Sequence, residues 1–149
     1  MVNPFDPKTV LLAKHAQHVV LIHFPIALFI AGVGFDFLAR WTKRAGFAEA
    51  AYYNFLGAAA SIVPVLATGV LAWQLQLEGQ KVKGILLWHM LAAAFSSVAI
   101  LWVAWALWRA REKKHEPSGI VLAIEILGVA VIGLTGHLGG FLSGVNGMG

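Results

Sequence analysis

Long apolar runs broken by short polar segments set the pattern of this chain. The first run covers about residues 18–39, with Asp36 near its far end as its sole charge. The second covers about 52–77, with no charged residue between Glu49 and Glu78. The third covers about 85–107, and the fourth about 120–141 with Glu125 inside it. A hydrocarbon core about 30 Å thick needs roughly 20 apolar residues of helix to cross it, and each run is long enough. The connecting segments are short enough to leave room only for hairpins. The pattern therefore predicts a single domain over residues 1–149, an all-α transmembrane four-helix bundle running up-down-up-down.

Composition supports the membrane reading. Hydrophobic residues make up 59% of the chain and charged residues 12%, with a mean hydropathy of +0.76, beyond what the core of a soluble domain requires. The basic residues then suggest a direction. Arg40, Lys43 and Arg44 follow the first run, and Arg109, Arg111, Lys113 and Lys114 follow the third, while Lys8, Lys14, Lys81 and Lys83 lie at the opposite side. An excess of Lys and Arg in short loops marks the cytoplasmic face, so both termini are expected outside. The expected location is a bacterial cytoplasmic (inner) membrane, crossed several times.

The sequence pI of 9.7 comes mainly from these loops. No basic stripe interleaves with stacking aromatics, so no nucleic-acid partner is expected. With no cysteine in the chain there is no disulfide, thiolate metal site, iron–sulfur cluster or thioether-attached haem. Residues 1–17 lack the features of a cleavable signal peptide, since Asp6 and two prolines precede a run long enough to span, and are expected to be retained. Val10, Leu11, Ala13 and Lys14 are expected to extend the first helix or to lie along the interface.

Four of the six histidines sit near ends of the apolar runs that a hairpin topology brings to one side. His18 and His23 come early in the first run, His89 early in the third and His137 late in the fourth. Imidazole is the usual protein ligand for haem iron and other metals, and this clustering in the outer third makes all four candidate cofactor or haem-iron ligands. His18 and His23 are five residues apart, about 140° around a helix, so they serve different partners. One pairing joins His23 to His89, leaving His18 and His137 for a second haem or for supporting hydrogen bonds. Small residues run beside the histidines at helical spacing: Ala27, Ala31 and Gly34 with His23; Ala92, Ala93 and Ser96 with His89; Gly133 and Ala130 with His137. Such seams admit a flat macrocycle, and they equally let membrane helices pack directly.

Two acids fall within the apolar runs, where ionisable groups are costly and often functional. Asp36 and Glu125 lie about 20 Å from the histidine level, towards the cytoplasm, so neither shares a site with the histidines. Arg40, one turn after Asp36, is a natural ion-pair partner. Glu125 is expected to be neutral, or bonded to Asn54 or a tyrosine of the second helix. Pro25 and Pro64 each remove a backbone donor, and a bend at Pro25 could turn His23 inward. Trp41, Trp73, Trp88 and Trp108 fall near run ends, as indoles at the headgroup belt do. No acid–base–nucleophile triad, paired carboxylates or phosphate-binding glycine loop is present, so no catalytic residues are assigned.

Several of these residues also carry a family resemblance. The segment His18-Val-Val-Leu-Ile-His23-Phe-Pro25-Ile-Ala-Leu, followed by Asp36, resembles the opening "HP-x-x-x-HFPIAL…D" pattern of the bacterial domain of unknown function 2231, a group of small four-helix membrane proteins. Ala67-Thr68-Gly69 resembles its second-helix "TG", and Thr135-Gly136-His137-Leu138-Gly139-Gly140 its closing "TG-H-x-GG". Val19 stands where a proline is common, and Ser143-Gly144-Val145-Asn146-Gly147 departs from the group's "VY-x-x-G" ending. The resemblance carries over His18, His23, Asp36, Thr68, His137, Gly139 and Gly140 as residues of interest. Related segments occur attached to cytochrome c domains, which implies respiratory electron transfer.

The expected function is a membrane-bound electron-transfer subunit holding b-type haem, one or two, through histidines near the periplasmic side. The alternative is an accessory structural or pigment-binding subunit of a larger respiratory or photosynthetic complex, ligating a chlorin or nothing. A quinone- or proton-handling enzyme is a third reading, and it needs Glu125 to face a cavity. Expected partners are the lipid bilayer and other proteins of a membrane complex.

Overall fold

In the computed structural model, which describes residues 16–75, 77–115 and 117–144, five helices follow one another. They are α1 (Ala16–Leu21), α2 (His23–Thr42), α3 (Ala45–Leu75), α4 (Ile85–Glu112) and α5 (Gly119–Leu142). No strand occurs among the described residues. Helices α1 and α2 run on as one span, Gln17–Thr42, and with the other three they make four helices long and apolar enough to cross a bilayer. The readings placed on Val10 to Lys14, and on the ending from Val145 onward, lie outside the described residues.

The break between α1 and α2 falls at Ile22, and Pro25 explains it. Pro25 has no N–H to offer the carbonyl of Leu21, and its ring crowds that carbonyl, so the ladder is interrupted one turn before the proline. The chain bridges the gap through Ile22 N–H to His18 O at 3.0 Å and Ile26 N–H to Ile22 O at 3.4 Å. Pro64 lies within α3, which continues past it.

Hydropathy placed the spans but not all of their ends. Helix α3 begins at Ala45, seven residues before the apolar run, and α4 continues to Glu112, five beyond its run. Hydropathy marks only the hydrocarbon, whereas helical hydrogen bonding continues into the interface through residues such as Ala, Glu and Arg that favour helix. Lys43 ends α2 in a left-handed conformation, φ 57°, with its N–H on Ala39 O at 2.8 Å, and α3 starts two residues later. At the opposite end of α3, Glu78 and Gly79 also adopt positive φ, and Trp73 Nε1–H donates to Gln80 O at 3.0 Å, bracing that turn.

The bundle consists of two antiparallel hairpins, α1/α2 with α3 and α4 with α5, each more closely packed within itself than against the other. Its core is small and aromatic at the centre. Phe29 and Phe55, both fully buried, meet edge to face at 5.2 Å. Each ring rests on a glycine of a neighbouring helix: a Cβ at Gly32 would lie 2.9 Å from the Phe55 ring, and one at Gly128 would lie 2.9 Å from Phe29. The second contact ties the hairpins together at mid-depth. Large apolar side chains such as Val63, Phe95, Val98 and Ile126 point outward, as lipid-facing positions do. Trp41, Trp88 and Trp108 are exposed at helix ends.

Two hydrogen bonds that cross between hairpins lie at the end carrying the basic loops. Arg40 Nη1–H donates to Pro117 O at 3.3 Å, and Arg111 Nη2–H to Glu49 Oε1 at 3.3 Å, with the Arg111 guanidinium also 4.7 Å above the Tyr52 ring.

Candidate functional site

At the end opposite the basic loops, each hairpin repeats one device. The first helix of the hairpin supplies a histidine, and the second supplies a threonine to hold it, through its hydroxyl in one hairpin and its backbone carbonyl in the other. In the first hairpin His18 Nδ1 lies 3.2 Å from Thr68 Oγ1. In the second His89 Nδ1 lies 3.1 Å from Thr135 O. A glycine lets each ring approach the partner helix closely: a Cβ at Gly69 would lie 3.1 Å from His18 Cε1, and one at Gly139 would lie 3.2 Å from His89 Cε1.

The two contacts differ in what they ask of the ring nitrogen. Thr135 O is a backbone carbonyl and can only accept, so His89 Nδ1–H donates to it. Thr68 Oγ1 has one hydrogen, which goes back to Pro64 O at 2.8 Å, with Val65 O at 3.1 Å sharing it. A hydroxyl can also turn its hydrogen towards the ring, so this contact is satisfied by either tautomer of His18. With Nδ1 donating, a neutral imidazole keeps an in-plane lone pair on Nε2, the form in which it binds a metal, and the carbonyl partner of His89 selects that form. The two rings come one from each hairpin. Ser96, buried on α4, is 3.0 Å from the Thr135 hydroxyl, which itself donates to Val131 O.

The other two histidines lie differently. His23 is exposed, its Nδ1 2.6 Å from Val19 O of its own helix, so the bend at Pro25 does not turn it inward. His137 is exposed and its ring meets Phe141 edge-on at 5.1 Å. His18 and His89 thus each reach a helix of their own hairpin at the same end of the bundle, whereas His23 bonds within its own helix. The small-residue seams divide in the same way. Beside His89, Ala92 and Ser96 are buried, whereas Gly34 and Gly133, on the seams of His23 and His137, have open space where a side chain would go. Two apolar grooves on the outer face of α4 and α5, lined by residues such as Phe95, Leu127 and Val131, do not include His89.

The intramembrane acids gather towards the basic-loop end. Asp36 is buried and pairs with Arg40 Nε–H at 2.5 Å, as their spacing predicts. Glu125 is fully buried and within electrostatic reach of both. Its expected bond to Asn54 does not form, because Asn54 Nδ2–H donates to Ala50 O one turn earlier, and Tyr52 turns to Arg111 instead. Neither Glu125 oxygen receives a donor, and Arg40 Nη2 has no acceptor.

The repeated histidine–threonine device was present in the sequence as two Thr-Gly pairs, each preceded by a histidine 50 or 46 residues earlier. The chain has no other internal repeat to draw attention to it. No group of three or more His, Cys, Asp or Glu arranged to hold a metal ion occurs among the described residues.

Residues 14–149 match the family model described as predicted membrane protein (DUF2231). The match spans nearly the whole chain, and the chain belongs to that family. No curated protein and no solved structure matches it.

Proposed function

We propose that this family member is a membrane electron-transfer subunit that takes one b-type haem between His18 and His89, on the outer side of a bacterial cytoplasmic membrane. The observation that carries the reading is the matched pair of rings. Each comes from a different hairpin, and each has its Nδ1 held by a threonine oxygen of the partner helix, which leaves Nε2 as the nitrogen to ligate iron. Two neutral imidazoles of that form are the donor set of bis-histidine haem ligation, and the absence of cysteine restricts attachment to the non-covalent kind. When bound, the haem supplies one-electron chemistry. Thr68 and the Thr135 carbonyl fix ring orientation, Gly69 and Gly139 allow close approach, and the surrounding apolar helices keep the dielectric low. The outer placement follows from the basic loops at the other end of the bundle.

A reduced-minus-oxidised visible spectrum of the purified chain tests this. The expected result is a b-type signal that is lost in His18→Ala and in His89→Ala and retained in His23→Ala and His137→Ala. No chromophore, or a signal surviving both of the first two substitutions, overturns the reading.

A second reading, an accessory or pigment-ligating subunit of a larger complex, draws on His23. Its Nδ1 is held by Val19 O while the ring is exposed, so its free nitrogen faces a neighbour in the membrane. A stoichiometric partner that copurifies with a colourless chain favours this alternative.

A further inference from the structure

The cluster of Asp36, Arg40 and Glu125 lies far from the histidines and has no part in holding them. Two carboxyl groups share one guanidinium. Arg40 gives Nε–H to Asp36 Oδ2 and Nη1–H to Pro117 O, while Nη2 is buried with no acceptor. Glu125 stands beside this pair, 0% exposed, with no donor to either oxygen and with Asp36 as the acceptor for its own O–H when it is protonated. A carboxylate so placed would be an uncompensated charge in hydrocarbon, because Asp36 already neutralises Arg40. A carboxylic acid there is neutral.

We propose that Glu125 is a proton-binding site within the bilayer, and that the Arg40 guanidinium closes on it when the proton leaves. The geometry supplies both states. In the arrangement described, the proton sits on Glu125 and Arg40 is committed to Asp36. On release, the Glu125 O–H bond breaks, its electron pair stays on the carboxylate, and the proton passes to water at the basic-loop end, which the Arg40 side chain reaches at 28% exposure. The unused Nη2–H then forms a hydrogen bond to the new carboxylate, and one guanidinium spans two acids. The charged groups acting on Glu125 are Asp36 and Arg40, both from α2. Helices α3 and α4 send Phe55, Ala58, Val103 and Leu107 into the same core, and Tyr52 of α3 is turned to Arg111. No tertiary bond other than that to Arg40 is available to hold the charge.

Infrared difference spectroscopy of the full chain in dodecyl maltoside micelles, which carry no carbonyl group, reads this proton directly with pH as the probe. The expected result is a carbonyl-stretch band of a protonated carboxylic acid at neutral pH that disappears as pH rises. The band shifts when glutamate carboxyls are labelled with carbon-13, and it is absent from Glu125→Gln. In Asp36→Asn the guanidinium is freed for Glu125, and the neutral-pH band weakens several-fold. Absence of the band from the native chain, or a band unmoved by glutamate labelling, overturns the proposal. The labelling arm uses the native sequence, so it stands even where a substituted chain fails to fold. The measurement needs no chromophore and is independent of the histidine site.

Discussion

At the scale of single residues, the histidines divide by what their Nδ1 atoms meet. His18 and His89 reach across to a second helix, whereas His23 bonds within its own turn and stays outside. The two held rings differ in one respect that can be tested. His18 depends on a side-chain oxygen, and His89 on a backbone carbonyl. Under the proposed haem ligation, Thr68→Val should therefore remove the His18 Nδ1 partner and weaken haem retention by about 10–100-fold, the usual cost of losing such a supporting bond. Thr135→Val keeps its carbonyl and should leave retention nearly unchanged, giving up only the hydroxyl contact with Ser96. Titration of the purified variants with haem separates the two.

At the scale of elements, close approach of the helices depends on glycine. The Phe29 ring is fully buried against Gly128, and a methyl group there must displace it. Overpacking of this kind costs about 1–3 kcal/mol, against roughly 1 kcal/mol gained from alanine's better helix propensity. Gly128→Ala should consequently destabilise the bundle by about 1 kcal/mol, seen as a lower Tm in detergent. Gly34→Ala meets open space and should be neutral or slightly stabilising. The existence of all four spans was legible from their apolar runs. The early start of α3 at Ala45 and the late end of α4 at Glu112 were not, because those turns are held by backbone hydrogen bonds in an interface that hydropathy does not register.

At the scale of the whole molecule, two hairpins are clamped at one end and carry the imidazole pair at the other. Arg40 to Pro117 and Arg111 to Glu49 make the clamp, at the end that bears the basic loops. Insertion with those loops in the cytoplasm is directly measurable because the chain has no cysteine of its own. In intact cells an impermeant maleimide should label Gln80→Cys, and should label Lys43→Cys only after permeabilisation. The reverse pattern would put the histidine pair on the cytoplasmic side.

The spans, their alternation and the ion pair of Asp36 with Arg40 followed from the sequence alone, since each rests on neighbours within a turn or on an apolar run of fixed length. The placing of His18 and His89 at one end of two different hairpins and the meeting of Glu125 with Asp36 and Arg40 were decided by tertiary structure. Both join residues from different hairpins, and helical periodicity fixes the angle between positions on one helix without fixing which face turns towards a neighbour. In the folded chain the facing surfaces are those on which Phe29 lies against Gly128 and Phe55 against Gly32.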